Sequence, residues 1–151
     1  MVREFQAPYV VKRITTVQDA VGVFRDVLRD EDRERLVAMC LDSKNRPNAI
    51  YTIAIGDLSQ VPTHPREVFK AAILANAASI ILAHNHPSGD PNPSRDDIMI
   101  TKRLAAAGRI IGIEVLDHVV IGDNEYVSLK QSGMMKYAEG QVKFDDVWVL
   151  P

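Results

Sequence analysis

The segment His84-Asn85-His86 constrains the chain most, because it ends a short apolar run and precedes a proline-rich loop. The apolar run Ser79–Ala83 predicts a buried strand. Since strand side chains alternate between two faces, His84 and His86 point the same way, at a spacing that suits two imidazoles on one metal ion. We therefore expect a metal site where this strand ends.

A stiff loop and a capped helix follow the histidines. The seven residues from Pro87 to Pro93 include three prolines, and Ser94 stands at the N-cap position of the next helix. Asp97 falls in the first helical turn, from which its carboxylate can reach back to the strand end. Two histidines and one aspartate leave a fourth tetrahedral position for water, which is typical of catalytic rather than structural zinc. The alternative is that Ser94 and Asp97 form only a capping box, which leaves the paired histidines unexplained.

The stretch ILAHNHPSGDPNPSRDD, residues 81–97, resembles the JAMM (MPN-plus) metalloprotease motif, and HNHPSGDPNPS is similar to its RadC-like branch. The resemblance extends upstream through VPTHPREVFKAAILANAAS and downstream through TKRLAAAGRIIGIEVLDHVVIGDNEYVSL, and it covers about residues 25 to 135. It implies a single-domain α/β fold of the JAB/MPN type, which is cytidine-deaminase-like, with a mixed β-sheet flanked by helices.

The resemblance also implies roles for individual residues. His84, His86 and Asp97 correspond to the zinc ligands, and Ser94 to the residue that steadies the tetrahedral intermediate. Asn85 departs from the serine or threonine of the eukaryotic deubiquitinating members, so deubiquitination is not implied. The activity that the resemblance implies is zinc-dependent hydrolysis of peptide or isopeptide bonds.

Two glutamates are candidates for the general base that JAMM enzymes use. Glu34 opens the predicted strand 35–41, where the resemblance places that residue, although a glutamate in so charged a segment is often only solvated. Glu67 is the alternative, but the favourable helix dipole already explains a carboxylate in the first turn of a predicted helix.

Several other polar residues have simpler explanations. His118 could orient a ligand from behind or be a satisfied structural residue. His64 is expected to cap a helix or lie in a loop, Asp96 to be exposed, and Asp90 to be within reach of substrate. Cys40, the only cysteine, is expected to be a small core residue, and one cysteine cannot supply the C-x-x-C pair of a zinc deaminase.

Length and composition favour one ordinary domain. The chain has 151 residues, of which 46% are hydrophobic and 25% charged. We expect residues 1–24 to be an N-terminal arm and the start of the first helix, and residues 25–151 to be the RadC-like domain. There is no apolar stretch of membrane-spanning length and no signal-peptide core, so a cytoplasmic location is expected.

The charge of the chain bears on its partners. A DNA-repair accessory role without peptidase activity is the alternative that the RadC association suggests. However, the net charge is −2, lysines and arginines are scattered, and too few residues precede the resemblance for the helix-hairpin-helix module of longer members. We therefore expect a peptide or protein substrate, weak or no nucleic-acid binding and no membrane, with a homo-oligomer as an open alternative to a monomer.

The hydrophobic pattern predicts strands alternating with helices, which indicates an α/β sandwich around a mixed sheet. Helices are predicted at 17–29 with Thr15 or Thr16 as the cap, at 65–78, and from Ser94 to a stop at Gly108. Strands are predicted at 35–41, 50–55, 79–83, 114–121, 126–129 and 142–149, after an extended arm at 1–13.

Overall fold

A five-stranded mixed β-sheet forms the centre of the protein in a computed structural model, which describes residues 12–61 and 63–135. Its strands are β1 (Arg35–Leu41), β2 (Pro47–Ile55), β3 (Ser79–Asn85), β4 (Glu114–Ile121) and β5 (Tyr126–Ser128); the helices are α1 (Val17–Val27), α2 (Pro65–Leu74) and α3 (Arg95–Ile111). The sheet order is β2-β1-β3-β4-β5, with only β3 and β4 parallel. The predicted α/β fold with a mixed sheet is confirmed.

The predicted arm, as far as residue 11, and the predicted strand 142–149 lie outside the described residues. Across the residues that are described, no helix is both long enough and apolar enough to cross a membrane.

Strand β3 lies in the middle of the sheet, and all of its residues are buried. It pairs with β1 on one side and with β4, in parallel, on the other. Parallel neighbours require a crossover connection, which α3 provides. A continuous apolar run suits a strand covered on both faces, so the buried strand predicted from Ser79 is confirmed and extends to Asn85.

Helices cover both faces of the sheet, and two hydrophobic cores result. The core beneath α2 and α3 contains Phe69, Ile80, Leu82 and Leu104. The core beneath α1 contains Phe24, Ile81 and Ala83. Even-numbered residues of β3 thus face α2 and α3, and strand alternation places His84 on that same face.

Helix α3 ends later than predicted. It passes Gly108, runs to Ile111 and is capped by Gly112, whose φ of 88° lies in the left-handed region that glycine adopts without strain. A side-chain carbon at Gly108 would collide with the carbonyl oxygen of Ile113 and press on the ring of Phe69. Gly108 therefore allows close packing of the helix and does not terminate it.

The other boundaries lie within four residues of the prediction. The bounds of β1 and β4 are as predicted. α1 ends at Val27, α2 at Leu74 and β5 at Ser128, each short of its predicted end. α2 stops early because the chain turns at Asn76, which has a φ of 54°. β2 starts earlier than predicted, because Pro47 pairs in register with Leu41 of β1.

Cys40 lies in the core, as predicted. Its side chain is fully buried in β1, and burial raises the pKa of the thiol to about 11. The residue therefore stays a protonated thiol at neutral pH, which is unsuitable for a nucleophile.

Alanine at two helical glycines should have opposite effects on stability. Gly108→Ala should destabilise the protein by about 1–3 kcal/mol, because the added carbon meets the backbone of Ile113. Gly22→Ala is the matched control: it lies in α1 with no heavy atom near the added carbon, and it should stabilise by about 0.5–1 kcal/mol. Urea unfolding measures both changes, and equal stabilisation by the two would contradict the packing role of Gly108.

Candidate metal centre

Three side chains meet at the C-terminal end of β3. His84 lies in the strand, His86 follows its last residue, and Asp97 lies in the first turn of α3. Nε2 of His84 is 2.9 Å from Nε2 of His86, and each nitrogen is 3.3 Å from Oδ2 of Asp97. His84 and Asp97 are buried, whereas His86 is partly exposed. The three donor atoms therefore converge on one point, with solvent on the side of His86.

The loop after His86 is held against the end of β4. The backbone N–H of His86 donates to the carbonyl of Ile121 at 2.9 Å, and that of Asp123 donates to the carbonyl of Gly89 at 3.2 Å. Gly122 lies so close to the carbonyl of Gly89 that a side-chain carbon does not fit there. These contacts set the direction in which the chain leaves β3, and with it the position of His86.

A hydrogen bond on its far side determines how His86 is protonated. Nδ1 of His86 lies 2.8 Å from the carbonyl oxygen of Asp90, and a carbonyl oxygen can only accept, so Nδ1 carries a proton. In the neutral ring Nε2 then has a free lone pair that faces the other two donors. Asp90, which the sequence suggested as a substrate contact, acts here through its backbone.

His118 lies directly behind His84 in β4 and is fully buried. Its Nε2 is 2.7 Å from Nδ1 of His84, and its Nδ1 is 2.5 Å from Oγ1 of Thr101. The sequence left two interpretations of His118 open, a partner that orients a ligand and a purely structural residue. Direct contact with His84 favours the first.

Asp97 carries the negative charge of the cluster. Burial alone raises the pKa of Asp97, but the ring nitrogens of His84 and His86 that face its Oδ2 outweigh burial and hold that pKa well below its ordinary value. Protonation of His86 at Nε2 would add a hydrogen bond to Asp97, and this raises the pKa of His86. The cluster therefore attracts one further positive charge, whether a proton or a metal ion.

Asn85, between the two histidines, binds the backbone on both sides of Glu34. Its Oδ1 accepts from the N–H of Arg35 at 2.8 Å, and its Nδ2 donates to the carbonyl of Arg33 at 2.9 Å. The carbonyl of Glu34 itself accepts from the N–H of Gly56 at 2.8 Å. The backbone that carries Glu34 is therefore held in place by the strand that carries His84.

A cleft of about 330 Å³ lies beside the three donor atoms. It is lined by Glu34, Asp57, Ser59, His86, Pro87, Ser88, Ser94, Asp96 and Asp97. Ser94 caps α3 by accepting from the N–H of Asp97 at 3.1 Å, which leaves its own O–H hydrogen for the cleft. Glu34 thus borders the same space as the donors, whereas Glu67 is exposed in the first turn of α2 and does not line it.

The remaining polar residues named from the sequence lie outside the donor cluster. Asp96 is exposed at the rim of the cleft, and His64 is the N-cap residue of α2 without a side-chain capping bond. Sequence reasoning missed Thr101 and the contacts of Asn85. Thr101 could have been found, because it stands four residues after Asp97 on one helix face. The contacts of Asn85 come from the pairing of β1 with β3 and leave no pattern in the sequence.

The three donors fit a divalent metal ion. Ligands placed tetrahedrally at about 2.1 Å from an ion lie about 3.4 Å apart, and the separations here are 2.9 and 3.3 Å. Two imidazole nitrogens and one carboxylate oxygen form a typical donor set for such an ion. The structure thus brings together the three residues that the sequence predicted as ligands, beside a cleft open to solvent.

The protein is a mixed α/β domain that carries a cluster of two histidines and one aspartate at the end of its central strand. The family model of the RadC-like JAB domain matches residues 14–134, so the chain belongs to that family. This match confirms the resemblance read from the motif.

Two UPF0758 proteins align with most of this chain. The chain is 56% identical over 118 residues to a UPF0758 protein of Desulforamulus reducens, covering 78% of this chain and 52% of that protein. It is 43% identical over 125 residues to a UPF0758 protein of Methanosarcina mazei, covering 83% of this chain and 55% of that protein. The chain therefore spans about half the length of the curated relatives it matches.

Metal affinity should fall as the pH is lowered. Protons compete with the metal for Nε2 of His86, and because Asp97 raises the pKa of His86, competition should begin above the ordinary value of 6.5. Calorimetric titration of the chain with a divalent metal from about pH 8 to about pH 5.5 measures this. Asp97→Asn, the control, should bind weakly throughout. A wild-type affinity that does not change with pH would contradict the assignment.

Proposed function

We propose that this domain is a zinc-dependent hydrolase of peptide or isopeptide bonds, a metallopeptidase of the JAMM type. One observation carries the proposal: the carboxylate of Glu34 and the hydroxyl of Ser94 border the same cleft as the metal-ligand residues His86 and Asp97. A site that only stabilised the fold would not need an acid, a hydroxyl and an open cleft beside the metal-ligand residues.

Zinc suits the three donors better than the harder cations do. Magnesium and calcium prefer all-oxygen surroundings, whereas two of the three donors here are imidazole nitrogens. When bound by His84, His86 and Asp97, zinc would polarise a substrate carbonyl and lower the pKa of a water molecule to about 7.

Glu34 would act as the general base. Its Oε2 accepts from the N–H of Leu58 at 3.3 Å, which orients the carboxylate and leaves the other oxygen for proton transfer. Glu34 also lines the cleft together with His86 and Asp97. In this role Glu34 takes a proton from the attacking water and returns it to the leaving amine.

Ser94 would stabilise the charge that develops on the substrate oxygen. Its oxygen accepts from the N–H of Asp97, which fixes the side chain and leaves the hydroxyl hydrogen as a donor. Loss of one such donor typically slows acyl transfer about 100-fold or more.

The charge around the cleft favours a peptide over a nucleic acid. Glu34, Asp57, Asp96 and Asp97 supply acidic groups to its lining. Hydrogen bonds from Ser59 lower the pKa of Asp57, which therefore stays ionised at neutral pH. Phosphates would be repelled there, and the net charge of −2 offers no compensating attraction. A peptide or protein substrate fits this cleft better.

The alternative, a DNA-repair accessory role without peptidase activity, makes a different prediction. It requires tight, salt-sensitive DNA binding, whereas the proposed hydrolase should bind duplex DNA only weakly at about 150 mM salt. Fluorescence anisotropy with a labelled duplex distinguishes the two. Submicromolar binding with a steep salt dependence, combined with no cleavage of any peptide by the zinc-loaded chain, would replace the proposal with the alternative.

Replacing each candidate base by glutamine should show which of the two accepts the proton during hydrolysis. Glu34→Gln should retain zinc but lower peptide hydrolysis by about 100-fold or more, because the amide cannot accept a proton at neutral pH. Glu67→Gln is the control and should hydrolyse at the wild-type rate, since Glu67 lies outside the cleft. A peptide-library cleavage assay on zinc-loaded protein measures both. Full activity in Glu34→Gln with loss in Glu67→Gln would move the base to Glu67.

A further inference from the structure

Buried hydrogen bonds connect two of the metal-ligand residues from behind. They run from Nδ1 of His84 to Nε2 of His118 (2.7 Å), from Nδ1 of His118 to Oγ1 of Thr101 (2.5 Å), and from that hydroxyl to the carbonyl oxygen of Asp97 (2.6 Å). The side chains of His84, His118 and Thr101 are fully buried. Water therefore cannot replace any hydrogen-bond partner in this series. The position of the proton on each group depends on the group that it contacts.

One arrangement of protons satisfies every bond in this series. The carbonyl of Asp97 can only accept, so the hydroxyl of Thr101 donates to it and accepts from Nδ1 of His118. The ring of His118 is fully buried, which favours its neutral form, and the single proton of that form is the one on Nδ1. Nε2 of His118 then accepts from Nδ1 of His84. The Nε2 of His84 that faces the cluster is left with its lone pair.

The two histidine ligands are oriented in different ways. His86 donates to the carbonyl of Asp90, which has no hydrogen and so permits one direction only. His84 faces a second imidazole, which can either donate or accept. The direction of the hydrogen bond at Nδ1 of His84 is therefore determined by the hydrogen bond that Thr101 donates to the carbonyl of Asp97.

We propose that His118 and Thr101 are positioning residues that hold His84 in the tautomer able to bind a metal ion, and so strengthen the site. This inference rests on the metal binding in the proposed function and does not require peptide hydrolysis. It also gives Asp97 two roles, since its side chain is a ligand and its backbone carbonyl is the last acceptor behind the other ligand. The orientation of His84 thus follows the position of α3.

The test compares single variants of the full chain. Thr101→Val removes the hydroxyl with little change of shape, and Thr101→Ser keeps it. His118→Phe removes the acceptor for Nδ1 of His84. If that variant does not fold, the comparison of Thr101→Val with Thr101→Ser still tests the positioning role. Tyr51→Phe is the matched control, because it deletes another buried hydroxyl that donates to a helix carbonyl, that of Val68, away from the site.

Zinc affinity is measured by competition with a chelator, and the protonation of His84 by nitrogen-15 NMR of the metal-free chain, which has only four histidines. We expect Thr101→Val to bind zinc about 10- to 100-fold more weakly and to show mixed tautomers of His84. Thr101→Ser should restore wild-type affinity and the Nδ1-protonated ring. Tyr51→Phe should lose stability but not zinc affinity.

Two results would overturn the positioning role while leaving the metal site in place. One is wild-type zinc affinity in Thr101→Val. The other is an equal loss in Thr101→Ser or in the control Tyr51→Phe, which would show a general effect on packing. Failure of the unaltered chain to bind zinc would instead overturn the proposed function, and this inference would fall with it.

Discussion

The candidate site depends on the parallel pairing of β3 with β4. Parallel neighbours cannot be joined by a tight turn, so the chain crosses over through α3, and the start of that helix comes to lie at the end of β3. His84 and Asp97 meet for this reason. The capping box of Ser94 and Asp97 then directs the carboxylate back towards the strand, because the backbone N–H of Ser94 donates to Oδ2 at 2.7 Å.

The buried polar groups at the end of β3 would destabilise the folded chain if they had no hydrogen-bond partners. Here each has one: His84 contacts His118, His118 contacts Thr101, and Asp97 accepts from Ser94. The donors are consequently held in place before any ion arrives, and little of the binding energy is needed to order them. A bound metal would also stabilise the folded chain, by about 2.7 kcal/mol when its concentration is a hundred times the Kd.

Much of this arrangement could be predicted from the sequence, because it follows from local patterns. Alternation along β3 put His84 and His86 on one face, and the N-cap pattern put Asp97 in the first turn of α3. The contacts of Asn85 and the close packing at Gly108 could not be predicted. They arise where segments distant in the sequence touch, Asn85 against the start of β1 and Gly108 against Ile113 and α2. Contacts of that kind depend on the three-dimensional pairing of elements and leave no periodicity to read.

Zinc K-edge X-ray absorption of the chain loaded with one equivalent of zinc shows directly whether His84 and His86 bind the metal ion. We expect about four nitrogen and oxygen ligands at about 2.0–2.2 Å, with the scattering of two imidazole rings, from His84 and His86. A sulfur ligand at about 2.3 Å would indicate Cys40, the only cysteine, and so a binding site elsewhere. That result, or a coordination shell without imidazole, would contradict metal binding by His84, His86 and Asp97.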